Sequence, residues 1–208
     1  RRLGVAAERL GEETGSAPAT LVCDVTDEVT VQALFQGAVD QLGRIDVLMN
    51  NAGLGGNAPL HEMTDDQWNV VLDVTLNGTF RCTRAALGVM YGQGSGVIVN
   101  NASVLGWRAQ DLQAHYAAAK AGVMALTRCA AVEAADHGVR VNAVAPSLAT
   151  HPFLEKVMPP GLLEELEAAE AYGRGAEPWE VANVMVFLAS DLSSYMTGEV
   201  VPVSSQRA

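Results

Sequence analysis

Hydrophobic positions along this chain follow two periods. Short runs of adjacent apolar residues, such as Val47-Leu48-Met49 and Val97-Ile98-Val99, read as buried strands, and longer stretches with helical spacing separate them. Leu3 to Gly15 reads as a helix with its charges on one side. Thr20-Leu21-Val22-Cys23 reads as a short strand ending at Asp24-Val25. Thr26-Asp27-Glu28 supplies an N-cap and an acidic first turn for a helix to Leu42, where Gly43 stops it. Ile45 to Asn50 is the next strand, followed by a Gly/Asn/Pro-rich loop to Pro59. A helix capped near Thr64-Asp65-Asp66 runs to about Met90, with a break at Asn77-Gly78. A strand over Val97–Asn100, a long helix over His115–Asp136 and a strand over Val139–Val144, closed by Pro146, come next. Residues 151–173 are irregular apart from an acidic helical piece, Leu162–Ala171. Pro178–Ala189 is a further helix, and Glu199–Val203 is an edge strand, because Pro202 cannot serve a central ladder.

Strands alternating with helices predict βαβ units, hence an α/β chain with a doubly wound, mostly parallel Rossmann-type sheet. The 208 residues, 49% of them hydrophobic, suit one domain over 1–208, with 151–173 as a substrate lid or else an ordinary surface excursion. A net charge of −11 argues against nucleic-acid or anionic-membrane partners. No apolar run approaches the roughly 18 residues of a membrane span. Cys23, Cys82 and Cys129 are scattered, with no CxxC pair and no histidine at ligand spacing. This points to a reducing, cytoplasmic setting, without a disulfide framework and without a metal.

The candidate chemistry lies in Tyr116-Ala117-Ala118-Ala119-Lys120, with Ser103 thirteen residues upstream. Residues four apart share a helix face, and Ser103 closes the strand before that helix, where open α/β sheets place their sites. A free phenol, with a pKa of about 10, is too weak an acid to work as a base near neutrality, and an ammonium one turn away favours its phenolate. The Ser103 hydroxyl is placed to hold a substrate oxygen where negative charge develops. From spacing alone, an exposed Tyr and Lys on an Ala-rich helix capped by Ser103 stays an alternative.

The ordered set Cys23-Asp24-Val25, Asn50-Asn51-Ala52-Gly53, Ser103, Tyr116 to Lys120, Asn142-Ala143-Val144-Ala145-Pro146 and Tyr195-Met196-Thr197-Gly198-Glu199 resembles the short-chain dehydrogenase/reductase family over essentially the whole chain. The likeness is to its 3-oxoacyl-carrier-protein-reductase-like branch, and the run Asn100–Thr127 is similar to actinobacterial members linked to steroid-ring breakdown. The resemblance implies an oxidoreductase that uses NAD or NADP to interconvert a secondary alcohol and a ketone. Its small-molecule substrate would be a hydroxyacyl or 3-oxoacyl thioester, or a steroid-derived alicyclic compound. It implies Tyr116 as acid/base, Ser103 as donor to the substrate oxygen, and Lys120 as tuner of Tyr116 and holder of the nicotinamide ribose. It also implies Asp24 and Val25 along the adenine, Asn51 and Ala52 against the ribose, Ala149 at the nicotinamide amide, and a homotetramer.

Four departures stand against that pattern. The family's opening Gly-rich turn, which holds pyrophosphate on backbone amides, has no counterpart, so the natural protein is expected to be longer, with two further N-terminal strands. Thr75 replaces an asparagine of the family's catalytic tetrad, and Asn77 lies about 200° round the helix from it. Ser147 replaces a glycine and His151 a cofactor-contacting threonine, and Ser204-Ser205-Gln206 replaces an Asp-Gly-Gly. These departures keep open a noncatalytic relative acting as an oligomeric scaffold. A sugar-nucleotide epimerase or dehydratase, which shares Tyr-x-x-x-Lys, would carry a larger substrate domain. Trp107 and Arg108 are expected at the substrate mouth.

Overall fold

The computed structural model describes residues 2–150, 154 and 161–205. Some helices start where a side chain satisfies the backbone. Helix α1 spans Arg2–Thr14, and α2, Glu28–Leu42, is capped by the Asp27 carboxylate, which accepts the Val29 amide, and ends at Gly43 in the left-handed region. Helix α3, Asp65–Leu72, begins with a reciprocal capping box between Thr64 and Gln67. The expected break comes as a π-helical turn, Asp73–Asn77, before α4, Gly78–Gln93. Helix α5 covers Ala114–Ala134, α6 Leu162–Ala169, and α7 Pro178–Ala189 with proline in its first turn.

The strands β1, Val47–Asn50, β2, Gly96–Asn101, β3, Val139–Pro146, and β4, Val200–Val203, form one all-parallel sheet in the order β1-β2-β3-β4. Asn50 pairs with Asn100 and Asn101 with Val144. Among the described residues strand β4 pairs with β3 alone, so Pro202 sits on an edge as expected. The strand expected at Thr20–Cys23 does not form. Among the described residues that segment has no ladder partner, and a strand exists only where a neighbour takes up its amides and carbonyls; Val22 is 87% exposed.

Alternate strand residues face two helical layers, so the sheet is doubly wound. Ile98 and Val141 pack with Val31 and Phe35 of α2, Cys82 and Met90 of α4, and Ala130 and Ala134 of α5. Val99 and Val144 pack on the other side with Val181, Met185 and Leu188 of α7. A polar ladder crosses the first layer. The Asn50 amide donates to Asn100 (2.9 Å) and Thr83 (3.1 Å), and Asn100 donates to Thr127 (2.9 Å), so every member is satisfied inside the core. On the far side the Arg140 guanidinium donates to the carbonyls of Leu188, Ser190 and Met196 and to the Ser193 hydroxyl, closing the C-terminus of α7 onto β3. Substituting Arg140→Met removes all four bonds and strands those carbonyls. We expect about 3 kcal/mol of lost stability with an unchanged m-value in urea unfolding.

Candidate active site

The parallel strands end together, and β2, the π turn and the start of α5 meet at those ends. Ser103, 7% exposed, follows β2 and caps a short 3-10 turn, Val104–Gly106, by accepting the Leu105 amide at 3.2 Å. Tyr116 lies in the first turn of α5, and its phenol is hydrogen-bonded to Ser103. Lys120, one turn on, is only 4% exposed, and its Nζ donates to the Asn101 carbonyl at 2.5 Å and lies 5.5 Å from the Tyr116 ring centroid. The three sequence-predicted residues thus come together, and the picture of an exposed Tyr and Lys does not hold.

The electrostatic order differs from the one expected. Burial raises the Tyr116 phenol above its ordinary value, and the Ser103 hydrogen bond is what pulls it down. The Lys120 ammonium is aimed at the Asn101 carbonyl and is itself lowered to about 8 by burial. Spacing on a helix brings the charges near but does not fix which way the ammonium points.

Close packing holds these elements in register. A Cβ on Gly122 would come within 2.8 Å of Leu76 in the π turn, and one on Gly106 within 2.6 Å of Met124, so α5 lies directly against both. Thr75, fully buried, answers the question of the missing asparagine. Its hydroxyl accepts the Leu54 amide at 2.9 Å and donates to the Leu54 carbonyl at 3.0 Å, pinning the loop after β1. Its own carbonyl accepts the Thr79 hydroxyl at 2.8 Å. Asn77 faces away, donating to Asp73.

The loop after β1 lies over the start of α5. A Cβ on Gly55 would be 3.5 Å from the Tyr116 ring, and one on Gly56 would be 3.2 Å from His115 Nε2. Burial lowers the His115 pKa, with the Gln113 carbonyl opposing. The Ala58 amide donates to the Leu112 carbonyl at 3.1 Å, and Gln113 donates to Asn57. Leu112 holds φ 64°, a left-handed conformation that strains a leucine and that no sequence signal announced. A pocket of about 280 Å³ opens beside these loops, lined by Ala58, Leu60, Gln110, Leu112, Ala114 and Ala117. Trp107, 53% exposed, and Arg108 stand at the surface after the 3-10 turn.

The cofactor candidates divide. Asn51 accepts the Asn101 side-chain amide at 2.8 Å, and Gly53 leaves 3.7 Å between an added Cβ and Lys120 Nζ, so Asn51, Ala52 and Gly53 border the cluster. Asp24 is turned inward on its own loop. Its carboxylate accepts the Thr26 amide (2.9 Å) and hydroxyl (2.7 Å), which hold its pKa down. Among the described residues no hydrogen bond joins Asp24 or Val25 to Ser103, Tyr116 or Lys120. Ala149 follows β3 and bridges to Ala176, while His151 lies outside the described residues. Asn101 was missed, because its contribution to Lys120 is a backbone carbonyl that any residue type provides. Its side-chain Oδ1 is buried without a partner. Among the described residues no group of side chains could hold a metal ion, and no helix is long and apolar enough to cross a membrane.

Residues 1–205 match the family described as Enoyl-(Acyl carrier protein) reductase. The chain is 59% identical over 207 residues to the (5R,7aS)-5-hydroxy-7a-methyl-1-oxo-2,3,5,6,7,7a-hexahydro-1H-indene-carboxyl-CoA reductase of Mycobacterium tuberculosis, spanning 99% of this chain and 79% of that protein. It is 42% identical to a 3-oxoacyl-[acyl-carrier-protein] reductase of Thermotoga maritima, over 88% of this chain and 74% of that one. The structure superimposes on a short chain dehydrogenase from Mycobacterium smegmatis with a TM-score of 0.86 at 56% identity, over 100% of this chain and 78% of that one.

The low value of Lys120 has a measurable sign. Between about 8 and the ordinary lysine value of about 10.4, the unfolded chain keeps a proton that the folded chain has released, so this group makes stability rise with pH across that window. NMR should show one of the chain's two lysines titrating near pH 8, and Lys120→Met should flatten the rise in urea midpoint. Thr75→Val should speed amide exchange at Leu54 and lower stability by about 1 kcal/mol, since it removes the two hydrogen bonds that pin the exposed loop residue Leu54 to the core.

Proposed function

The chain belongs to the short-chain dehydrogenase/reductase family, and we propose that it is an NAD(P)-dependent oxidoreductase that interconverts a ketone and a secondary alcohol on a bulky alicyclic acyl thioester. The observation that carries the reading is the contact of Ser103 with Tyr116 beside a buried Lys120, at the C-terminal ends of parallel strands. The Mycobacterium tuberculosis relative, named for a fused-ring acyl-CoA, supports the substrate class.

The residues present fit a nicotinamide dinucleotide. Asn101 Oδ1 is a buried acceptor lacking a partner, beside Asn51 and the Lys120 ammonium, and Gly53 keeps the approach to Lys120 open. In our assignment Lys120, Asn51, Ala52 and the backbone at Ala149 hold its nicotinamide half, and Asp24 with Val25 holds the adenine. The dinucleotide, when bound, supplies or accepts the hydride. Ser103 donates to the substrate oxygen and orients the carbonyl. Tyr116 gives its proton to that oxygen as charge develops in reduction and takes it back in oxidation. The Lys120 ammonium adds positive charge beneath the developing oxyanion.

Thr75, the residue that favoured a scaffold in the sequence, has a structural task in holding Leu54, which weakens that alternative. The lid belongs to 151–173, of which 154 and 161–173 are among the described residues. The homotetramer is supported by exposed apolar side chains on α5 (Val132, 80%) and α7 (Trp179, 61%; Val186, 59%). Three free cysteines support a cytoplasmic setting.

Tyr116→Phe should lower kcat about a thousandfold while leaving the circular-dichroism spectrum and urea midpoint near those of the parent. Near-normal turnover in that variant would sink the catalytic assignment. A monomer mass in solution scattering would refute the tetramer.

A further inference from the structure

Three segments lie side by side: Ser147–Thr150 after β3, Glu170–Ala176 between α6 and α7, and Ser204-Ser205 after β4. Backbone bonds stitch them together. The Ser147 amide donates to Val203 (3.0 Å), Thr150 to Ala176 (2.9 Å), Ala176 to Leu148 (2.8 Å) and Ala171 to Ser205 (2.7 Å). Gly175 is pressed against the first of them, since a Cβ there would lie 2.7 Å from the Thr150 side chain and 3.2 Å from the Leu148 carbonyl oxygen.

Inside this platform sits Glu170, 2% exposed. Its Oε2 accepts the Ser205 hydroxyl at 2.8 Å, and its Oε1 is buried without a partner. A half-satisfied buried carboxylate costs stability that an apolar side chain would not. Its one partner among the described residues, Ser205, is itself a departure, the middle residue of the Ser204-Ser205-Gln206 that stands in place of Asp-Gly-Gly. Carboxylate and hydroxyl therefore work as a pair, and what they fix is the limb that carries Ala176. That limb in turn holds the backbone on both sides of Ala149.

We infer that Glu170 is a positioning residue for the nicotinamide end of the cofactor, acting through a clasp with Ser205 that fixes the Leu148–Thr150 backbone. This rests on the oxidoreductase reading and on Ala149 meeting the nicotinamide. The test compares binding of NADH, NADPH and ADP-ribose, which lacks the nicotinamide, to the full-length protein and its Glu170→Ala, Ser205→Ala and Glu170→Gln variants. Both alanine variants should weaken reduced-dinucleotide binding by about five- to tenfold while ADP-ribose binding stays within about twofold, as expected for losing a hydrogen bond to a charged group at one end of the ligand. Glu170→Gln keeps an acceptor for the Ser205 hydroxyl and should restore most of the loss. Measured without cofactor, hydrogen exchange at Thr150, Ala171 and Ala176 should quicken in the alanine variants. Unchanged dinucleotide binding in those variants, unchanged exchange, or equal weakening of ADP-ribose overturns the inference. If Glu170→Ala does not fold, Ser205→Ala decides alone. A parent protein that binds neither dinucleotide fails the oxidoreductase reading itself, and this inference falls with it. Parent binding with indifferent variants removes only the clasp.

Discussion

The arrangement of this molecule depends on one buried ammonium. Lys120 has almost no access to water, so its charge needs a strong acceptor, and the Asn101 carbonyl at the end of β2 is that acceptor. The bond fixes how far α5 can slide along the sheet. Tyr116 lies one turn before Lys120 and Ser103 two residues after Asn101, so the same bond sets the spacing of phenol and hydroxyl. Its cost is visible in the lowered pKa of Lys120, because burial disfavours the charged form.

Such a bond only works if the helix can come close enough. Ala119, Ala130, Ala131 and Ala134 are all buried on α5, and Gly122 admits Leu76 of the π turn. The turn in its place brings Thr75 round to the loop after β1, which an uninterrupted helix would not do. Underneath, the ladder of Asn50, Asn100 and Thr127 ties two strands to the same helix, so the site rests on polar contacts of defined geometry rather than on apolar packing alone.

The parts legible in the sequence are those governed by local chemistry. Asp27, Thr64, Gly43 and Pro178 mark helix ends because capping acts within a few residues, and Pro202 marked the edge strand for the same kind of reason. Ser103, Tyr116 and Lys120 were legible because their order and spacing are specific. What was not legible depends on distant neighbours. The Thr20–Cys23 segment has strand character but no ladder to join, and the direction of the Lys120 ammonium is set by a backbone atom far along the chain. Glu170 follows the acidic helix α6 and reads as another solvent-facing carboxylate, although it is among the most buried residues. Leu112 carries no glycine or asparagine to advertise its left-handed backbone.

The coupling of Ala58 to Leu112 and of Asn57 to Gln113 bears on redesign. Two surface excursions remote in sequence, 54–60 and 109–113, share a seam of hydrogen bonds and one strained residue, so they behave as a single cassette. Grafting either from a relative in isolation would leave the other's amides and carbonyls unmatched and tilt the first turn of α5. Libraries that aim to vary this surface should therefore exchange both excursions together, with position 112 varied toward glycine to release the strain.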